Sequence, residues 1–422
     1  MDNVGQIERI TQNRVVKLFQ DELGYTYLGN WEERENNSNI EVDLLTAFLS
    51  RKGGTLSQSK GYNKTQIDKA IYELQTTANN FNDRLYTTNK NTYQKLRYGI
   101  QIKAEAGENF ETVHLFDWDN FANNDFAIAE EVTIHYKSVA ERSRSKRPDI
   151  VIYVNGIALG VLELKRSTVS VEEGIRQNIT NQQDRFIQPF FATVQYLFAG
   201  NDTEGLRYGT IDTEEKYYLK WKEDIEDNSR NLLDKYIIKM CNKERFMEIA
   251  YDFVLFDGGI KKLPRVHQYF GIKEAQKFVN RYEGGIIWHT QGSGKSIVMV
   301  MLAKWILENN PNARVAILTD RDELDKQIER VFKDADEQIY RTKSGKDLMK
   351  KLSEATPRLL CSLVHKFGKK DVGNFNKFIE ELKSQPSKAV GELFIFVDEC
   401  HRTQSGKLHR TMKAMLPNSV FI

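Results

Sequence analysis

The chain has 422 residues, of which 40% are hydrophobic and 28% are charged, and its formal net charge is +2. One hydrophobic core rarely supports this length, and the composition is typical of a globular protein, so two or three domains are expected. The small net charge excludes a polycation that binds nucleic acid over its whole surface, and any such contact must come from local patches.

The cysteines and the apolar runs indicate where such a protein works. Cys241, Cys361 and Cys400 lie far apart and form no CxxC pair, which disfavours a disulfide framework or a zinc site. The N-terminus has no basic-then-apolar leader, and the longest apolar run, 297–307, is broken by Lys304 and is too short to span a bilayer. We therefore expect a cytoplasmic protein with no membrane partner.

In chain order, the first 255 residues alternate between helical and strand patterns. Amphipathic helices are predicted at 8–24, 41–50 and 171–183, and helical segments at 214–227 and 231–254. Strands are predicted at 98–104, 113–116 and 127–136, with a hairpin at 147–166. The Asn- and Thr-rich stretch 77–97 is expected to be irregular. These elements predict an α/β domain in which helices pack on a mixed sheet.

The hairpin carries ionisable residues within apolar strands. Asp149 precedes its first strand, and Glu163 and Lys165 lie two residues apart on the second, so the latter two share a face. Such groups are seldom buried unless paired or metal-bound. Asp149 and Glu163 are therefore predicted to bind Mg²⁺, and Lys165 to orient a water or stabilise a phosphate. The alternative is an edge strand with a solvated salt bridge.

The turn of this hairpin decides whether a shared metal is possible. A loop of only Asn155 and Gly156 would send Asp149 and Glu163 to opposite faces of the sheet. A loop that also includes Val154, with Gly156 in the left-handed region as a bulge, brings both acids to one face. We therefore predict the three-residue loop.

A phosphate-binding loop is predicted at 289–296, HTQGSGKS. It lies between an expected buried strand at 285–288 and an apolar helix, the order in which backbone N–H groups and a helix N-terminus cradle phosphates. Lys295 is expected to reach the β and γ phosphates of ATP, and Ser296 to bind Mg²⁺. The remaining predicted contacts come from the loop residues Thr290, Gln291, Gly292, Ser293 and Gly294.

A second buried strand is predicted at 393–397, and it ends in DECH. An acid at the tip of a strand beside a phosphate loop can hold Mg²⁺, and a second acid can position the attacking water. Asp398 is therefore predicted to bind the metal, and Glu399 to act in catalysis.

These motifs resemble known families. Pro148-Asp149 followed by Glu163-Leu164-Lys165 resembles the PD-(D/E)xK nucleases. The GKS loop and the DECH box resemble superfamily 2 helicases, in which Gln268 of RVHQYF would read adenine. Together, WHTQGSGKS, TDRDELDKQ and VDECHRTQSG resemble the restriction subunit of type I restriction-modification enzymes.

The resemblance implies an ATP- and Mg²⁺-dependent endonuclease that translocates and cuts double-stranded DNA together with methyltransferase and specificity subunits. It implies a mixed-sheet nuclease domain at 1–255, with a helical extension at about 205–255, followed by a RecA-like parallel-sheet P-loop lobe at 256–422. Because the chain ends in an expected strand, this lobe is expected to be incomplete and the second lobe absent, which would leave a poor ATPase.

One departure and two alternatives remain. The family often has QxxxY on the helix after the hairpin, whereas here Gln177 is followed by Asn181, and Gln182 by Phe186; Gln182 is the glutamine carried over. A repair nuclease-helicase of RecB type would show no dependence on methyltransferase partners. A non-catalytic DNA-binding or assembly module would bind no Mg²⁺ through Asp149.

Overall fold

The computed structural model describes residues 2–51, 61–81, 84–103, 109–137, 143–223, 229–319, 326, 328–332, 339–363, 372–385, 389–398 and 403–422. The chain forms two compact units, Met1–Val254 with Gly259–Arg265, and Leu255–Gly258 with Val266–Ile422. Across the described ranges, no helix has the length and apolar character of a membrane span.

The first unit combines helices with a mixed sheet. Its helices are α1 Asp2–Asp21, α2 Val42–Ser50, α3 Lys64–Ala78, α4 Leu85–Tyr98, α5 Val171–Asn181, α6 Leu232–Met240 and α7 Lys243–Asp252. Its strands are β1 Thr26–Asn30, β2 Ile100–Ile102, β3 Glu111–Val113, β4 Phe126–Glu130, β5 Ile134–Lys137, β6 Ser143–Lys146, β7 Ile150–Val154, β8 Ile157–Leu164, β9 Tyr196–Asn201, β10 Gly205–Gly209 and β11 Leu219–Lys220.

The main sheet has seven strands in the order β1-β4-β7-β8-β9-β10-β11. The β1–β4 and β8–β9 pairs are parallel, and the other pairs are antiparallel. Every residue of β7 and β8 is buried, which explains their nearly continuous apolar sequence. The predicted hairpin and the predicted mixed sheet are therefore confirmed.

The turn of the hairpin differs from the prediction. It contains only Asn155 and Gly156, with φ of 51° and 81°, and Val154 pairs with Ile157. Farther along, the partners on β8 skip Leu159, which forms a bulge. The extra residue restores the parity that a three-residue loop was expected to supply, so the prediction of that loop was wrong.

Distant residues bind the carbonyls at this bulge. The backbone N–H of Gln195 donates to the Leu159 carbonyl over 2.8 Å, and the Thr193 hydroxyl donates to the Ala158 carbonyl over 2.8 Å. Thr193 and Gln195 come from the segment just before β9. The bulge is therefore stabilised by a part of the chain that lies beyond α5.

Replacing Asn155 with alanine is expected to destabilise the first unit by about 3 kcal/mol. The Asn155 amide donates to the Leu115 carbonyl and to Asn124 Oδ1, and its Oδ1 accepts from the Asp125 N–H. Urea unfolding measures the loss. Asn36→Ala is the control, since Asn36 has φ of 60° but is exposed; it should cost only about 1 kcal/mol. Equal losses in the two variants would contradict a role for the buried bonds.

Two secondary-structure predictions for the first unit were wrong. The segment expected to be irregular contains α4, because its polar residues are buried and bonded: Asn89 donates to the Phe191 and Val194 carbonyls, and Thr92 to the Thr88 carbonyl. The helix expected at 214–227 is instead a 3₁₀ turn, Glu215–Tyr217, followed by β11. Residues 224–227 of that prediction lie outside the described ranges.

The second unit is built on a parallel sheet. Its elements are β12 Leu255–Asp257, α8 Val266–Asn280, α9 Lys295–Asn309, β14 Ala313–Thr319, β15 Ile339–Thr342, α10 Gly345–Leu352, β16 Leu359–Leu363, α11 Val372–Lys383, β17 Glu392–Val397, α12 Thr403–Met415 and β18 Val420–Phe421; β13 Ile260–Lys262 belongs to the first unit. The strand order is β15-β16-β14-β17-β18, with every pair parallel.

The prediction of a buried strand at 285–288 was wrong. Ile286 and Trp288 are 74% and 81% exposed, and the segment has no strand pairing.

Candidate functional site

Asp149 and Glu163 lie beside one another at the end of the β7–β8 pair. Beyond the bulge, Ile150 pairs with Leu162, so the next pair outward is Asp149 with Glu163. The Leu164 N–H donates to Asp149 Oδ2 over 2.6 Å, which holds this carboxylate against β8. The two acids therefore share one face of the sheet.

Glu163 is fully buried, and burial disfavours the charged form of its carboxyl group. Burial raises its pKa well above the usual value, and the neighbouring charge of Asp149 raises that pKa further, whereas Lys165 acts in the opposite direction. Its Oε2 is buried and accepts no hydrogen bond from the described residues. A cation beside the two carboxylates would relieve this cost.

The residues present fit Mg²⁺. This ion binds through one or two carboxylates and keeps several waters, and Asp149 with the unpartnered Glu163 Oε2 supplies that kind of donor set. In the described part of the chain, no group of three or more His, Cys, Asp or Glu residues is arranged to hold a metal. Two carboxylates side by side suit a partly hydrated hard cation.

Lys165 is held at the same end of β8. Its Nζ donates to Gln177 Oε1 over 2.9 Å and to the Leu164 carbonyl over 3.0 Å. Its backbone N–H donates to the Gly200 carbonyl over 2.9 Å, which ties the residue to the end of β9. The ammonium group is therefore positioned by a side chain of α5, a contact that the sequence analysis did not assign.

The helix glutamine that contacts the site is Gln177 rather than Gln182. The Gln182 amide donates to the Asn178 carbonyl, and its Oε1 accepts from the Asp212 N–H, both over 2.9 Å. By contrast, Asn181 Nδ2 donates to Glu163 Oε1 over 3.4 Å. Hydrogen bonding thus corrects the choice of Gln182. Gln177 and Asn181 are four residues apart and share a helix face, and this spacing is the signal that identifies them.

The acids upstream of the hairpin are already engaged. Glu130 accepts hydrogen bonds from Arg9, Gln12 and Tyr27, and burial together with the Glu130 bond raises the pKa of Tyr27 to about 12. Glu131 forms ion pairs with Arg9 and Arg147. These residues brace the site from α1 and β1 but do not present a free third carboxylate.

The phosphate-loop residues lead directly into α9. Gly292 and Gly294 have φ of 77° and 85°, and Gly294 is the N-cap of the helix that begins at Lys295. Ser293 Oγ donates to the Thr290 carbonyl over 2.7 Å, which closes a tight turn. Left-handed glycines before a helix N-terminus are suited to an anion cradle. The expected preceding strand is the part of this motif that the structure lacks.

Gln268 lies against the same loop. Its amide donates to the carbonyls of Ser293 and Gly294 over 3.1 and 3.2 Å, and His267 Nε2 lies 3.0 Å from the Ser293 carbonyl. A Cβ at Gly294 would approach the Gln268 amide to 2.5 Å. The residue expected to read adenine therefore also orders the phosphate loop.

Asp398 follows β17 directly. Its N–H donates to the Leu318 carbonyl over 3.0 Å, and its carboxylate accepts from the Thr319 hydroxyl over 3.4 Å. The acid thus lies at the carboxyl ends of the neighbouring strands β14 and β17, where α/β sheets commonly bind ligands. Glu399, the other predicted acid, lies outside the described residues, as does most of TDRDELDKQ.

Comparison with known proteins gives two family matches. The model of the type I restriction enzyme R protein N terminus (HSDR_N) matches residues 6–216, and the model of the SWI2/SNF2 ATPase matches residues 267–422. The first match contains the hairpin site, and the second contains the phosphate loop and Asp398.

Three proteins of similar sequence are named as endonuclease subunits of type I restriction enzymes. A Methanocaldococcus jannaschii protein is 26% identical over 98% of this chain and 42% of its own length. The type I restriction enzyme HindI endonuclease subunit of Haemophilus influenzae is 29% identical, over 80% of this chain and 35% of its own length. The SauMSSORF170P endonuclease subunit of Staphylococcus aureus is 24% identical, over 72% and 32%. This chain therefore spans less than half the length of these relatives.

The R-protein match covers half of the 422-residue chain. A SWI2/SNF2 ATPase match follows it along the same chain. The protein belongs to the family of type I restriction enzyme R proteins, of which it carries the N-terminal region followed by an SNF2-like ATPase domain.

Proposed function

We propose that this chain contains the nuclease centre of a type I restriction endonuclease and an ATP-binding lobe that drives DNA translocation. The observation that carries the proposal is the convergence of Asp149 and the unpartnered Glu163 Oε2 beside Lys165. The relatives' names support the same reaction class, phosphodiester hydrolysis.

The chain's own residues divide the work of hydrolysis. Asp149 and Glu163 would hold Mg²⁺, which when bound activates water and neutralises charge on a phosphate. Lys165, oriented by Gln177, places a positive charge beside that phosphate. Asn181 steadies the Glu163 carboxylate from α5. Each group is held by a neighbouring backbone or side chain, so the geometry is preorganised.

The second unit would bind ATP at the phosphate loop. Lys295 and the Gly292–Gly294 turn face the phosphates in this assignment, and Ser296 and Asp398 provide oxygen ligands for Mg²⁺. Gln268 contacts the loop backbone. In this proposal it also binds adenine. Double-stranded DNA, a methyltransferase subunit and a specificity subunit are the proposed partners of the whole enzyme.

The test is plasmid cleavage by the full-length R protein reconstituted with candidate methyltransferase and specificity subunits. Lys165→Ala should reduce cleavage by about 10²-fold or more, since charge-assisted contacts to a transition state are worth about 3 kcal/mol. ATP turnover should persist, because Lys165 and Lys295 belong to separate units. Lys69→Ala, at an exposed lysine of the same unit, is the control. Unchanged cleavage in Lys165→Ala would refute the nuclease assignment, and cleavage without the partner subunits would favour the RecB-type alternative.

A further inference from the structure

Unmatched polar atoms gather beneath α5. The side-chain oxygens of Asn178, Asn181 and Tyr218 are buried and make no hydrogen bond with the described residues, and the same holds for Glu163 Oε2. A buried polar atom without a partner costs about 1 to 3 kcal/mol. A bound cation would be the partner of Glu163 Oε2. The oxygens of Asn178, Asn181 and Tyr218 need a different partner.

The sheet places Tyr218 on the same face as Glu163. Glu163 pairs with Ala199, Ala199 with Arg207, and Arg207 with Lys220, so these four side chains point to one side. Tyr218 lies two residues before Lys220 and therefore points to that side too. Although Tyr218 is far from Glu163 in sequence, the two share one face.

A glycine lets the Tyr218 ring reach across the sheet. Continuing the β10–β11 register puts Tyr218 opposite Gly209, and a Cβ at Gly209 would lie 3.1 Å from the Cε1 and Cζ atoms of Tyr218. The ring therefore lies over β10, in the direction of β9 and β8. Burial raises the pKa of the phenol and the charge of Glu163 raises it further, so the hydroxyl remains a donor.

Helix α5 closes this face directly above Glu163. A Cβ at Gly174 would lie 3.1 Å from Ala199 Cβ and 3.5 Å from Glu163 Cβ, so the helix lies very close to the sheet. Asn178 and Asn181 follow Gly174 on the same helix face, and their Nδ2 atoms donate to the Phe198 carbonyl and to Glu163 Oε1. Their Oδ1 atoms accept no hydrogen bond from the described residues, and the Tyr218 hydroxyl is a buried donor on the same face.

We propose that Tyr218 is a positioning residue of the nuclease site, whose hydroxyl donates, through one bridging water, to Asn178 and Asn181 and thereby fixes Asn181 against Glu163. One water matches the three atoms, because it accepts from the phenol and donates to two amide oxygens. The inference rests on the proposed nuclease function, and it adds a residue from the β10–β11 edge to that site.

Tyr218→Phe removes only the hydroxyl and tests the inference. Mn²⁺ is titrated without nucleotide, so that the phosphate loop lacks its phosphate ligands. The variant should bind Mn²⁺ about 10-fold more weakly, which is the usual effect of removing a group that orients a metal ligand. Cleavage by the reconstituted enzyme should fall similarly, and raising the metal concentration should restore most of it. The melting temperature should fall only slightly, since the lost hydroxyl bonds a water and makes no direct bond to the described protein groups.

Tyr208→Phe is the matched control. Tyr208 is buried on the opposite face of β10, and its hydroxyl donates to the Pro264 carbonyl over 2.7 Å. This variant should lose stability and keep its Mn²⁺ affinity. A Tyr218→Phe protein with the parent's metal affinity and cleavage would overturn the inference, whatever its stability. Full cleavage by Asp149→Asn would instead overturn the nuclease function on which the inference rests.

Discussion

Replacing Glu163 with glutamine is expected to abolish DNA cleavage while making the folded chain more stable at neutral pH. Cleavage should fall by about 10³-fold or more, because the metal contributes several kcal/mol of charge stabilisation. Stability should rise because the buried carboxylate and its neighbour Asp149 no longer repel each other. Plasmid cleavage and thermal unfolding measure the two effects on the same protein.

The pH dependence gives the sign of the stability effect. The folded-state pKa of Glu163 is raised above the ordinary value of 4.5, so the folded chain retains a proton that the unfolded chain has lost. The stability contributed by this group is therefore lost as the pH rises from 4.5 through the folded-state pKa, by up to about 1.4 kcal/mol per pH unit. Glu163→Gln should not show this loss. The difference in free energy of unfolding between the variant and the parent should therefore grow as the pH rises through this range.

Mg²⁺ supplies a second comparison. The ion should raise the melting temperature of the parent, since a ligand that binds only the folded state stabilises it, and should have less effect on Glu163→Gln. Glu173→Gln, at an exposed acid on α5, should behave as the parent in every assay. A Glu163→Gln protein that cleaves normally, or that is less stable than the parent at pH 8, would contradict this account.

Replacing Lys295 with alanine is expected to weaken nucleotide binding about 10- to 100-fold, since hydrogen bonds to charged groups are worth about 1.5 to 3 kcal/mol. Lys295 opens α9, directly after the left-handed Gly294, so its side chain and the helix N-terminus act on the same phosphates. Its Nζ lies 3.5 Å from the His289 carbonyl, a long contact that a phosphate would replace. Fluorescent-ATP titration measures the change.

Lys277→Ala serves as the control for the Lys295 variant. Lys277 is an exposed lysine on α8 that forms an ion pair with Glu274, so nucleotide affinity should be unaffected. Gln268→Ala should also weaken binding, because its amide holds the Ser293 and Gly294 carbonyls. Unchanged affinity in Lys295→Ala would show that residues 289–296 are only a glycine turn.

Local sequence determined the elements that carry chemistry. Asn155-Gly156 between two apolar runs predicted a hairpin, since both residues adopt positive φ at low cost. Glycines before Lys295-Ser296 predicted a loop followed by a helix for the same kind of reason. These features depend on neighbours along the chain, so periodicity and turn chemistry were sufficient to find them.

Tertiary structure decided how those elements meet. The parity of the hairpin depends on a bulge at Leu159, whose carbonyl is bound by Gln195 from beyond α5. The structure brought Gln177, rather than Gln182, to Lys165, and it placed Tyr218 on the sheet face of Glu163, with β10 and β9 between them. Polar α4 is helical because distant carbonyls accept from Asn89. In each case the deciding hydrogen bond or register joins residues that are separated in sequence. The four-residue spacing of Gln177 and Asn181 places both on one helix face, but no local pattern encodes the partner that this face meets.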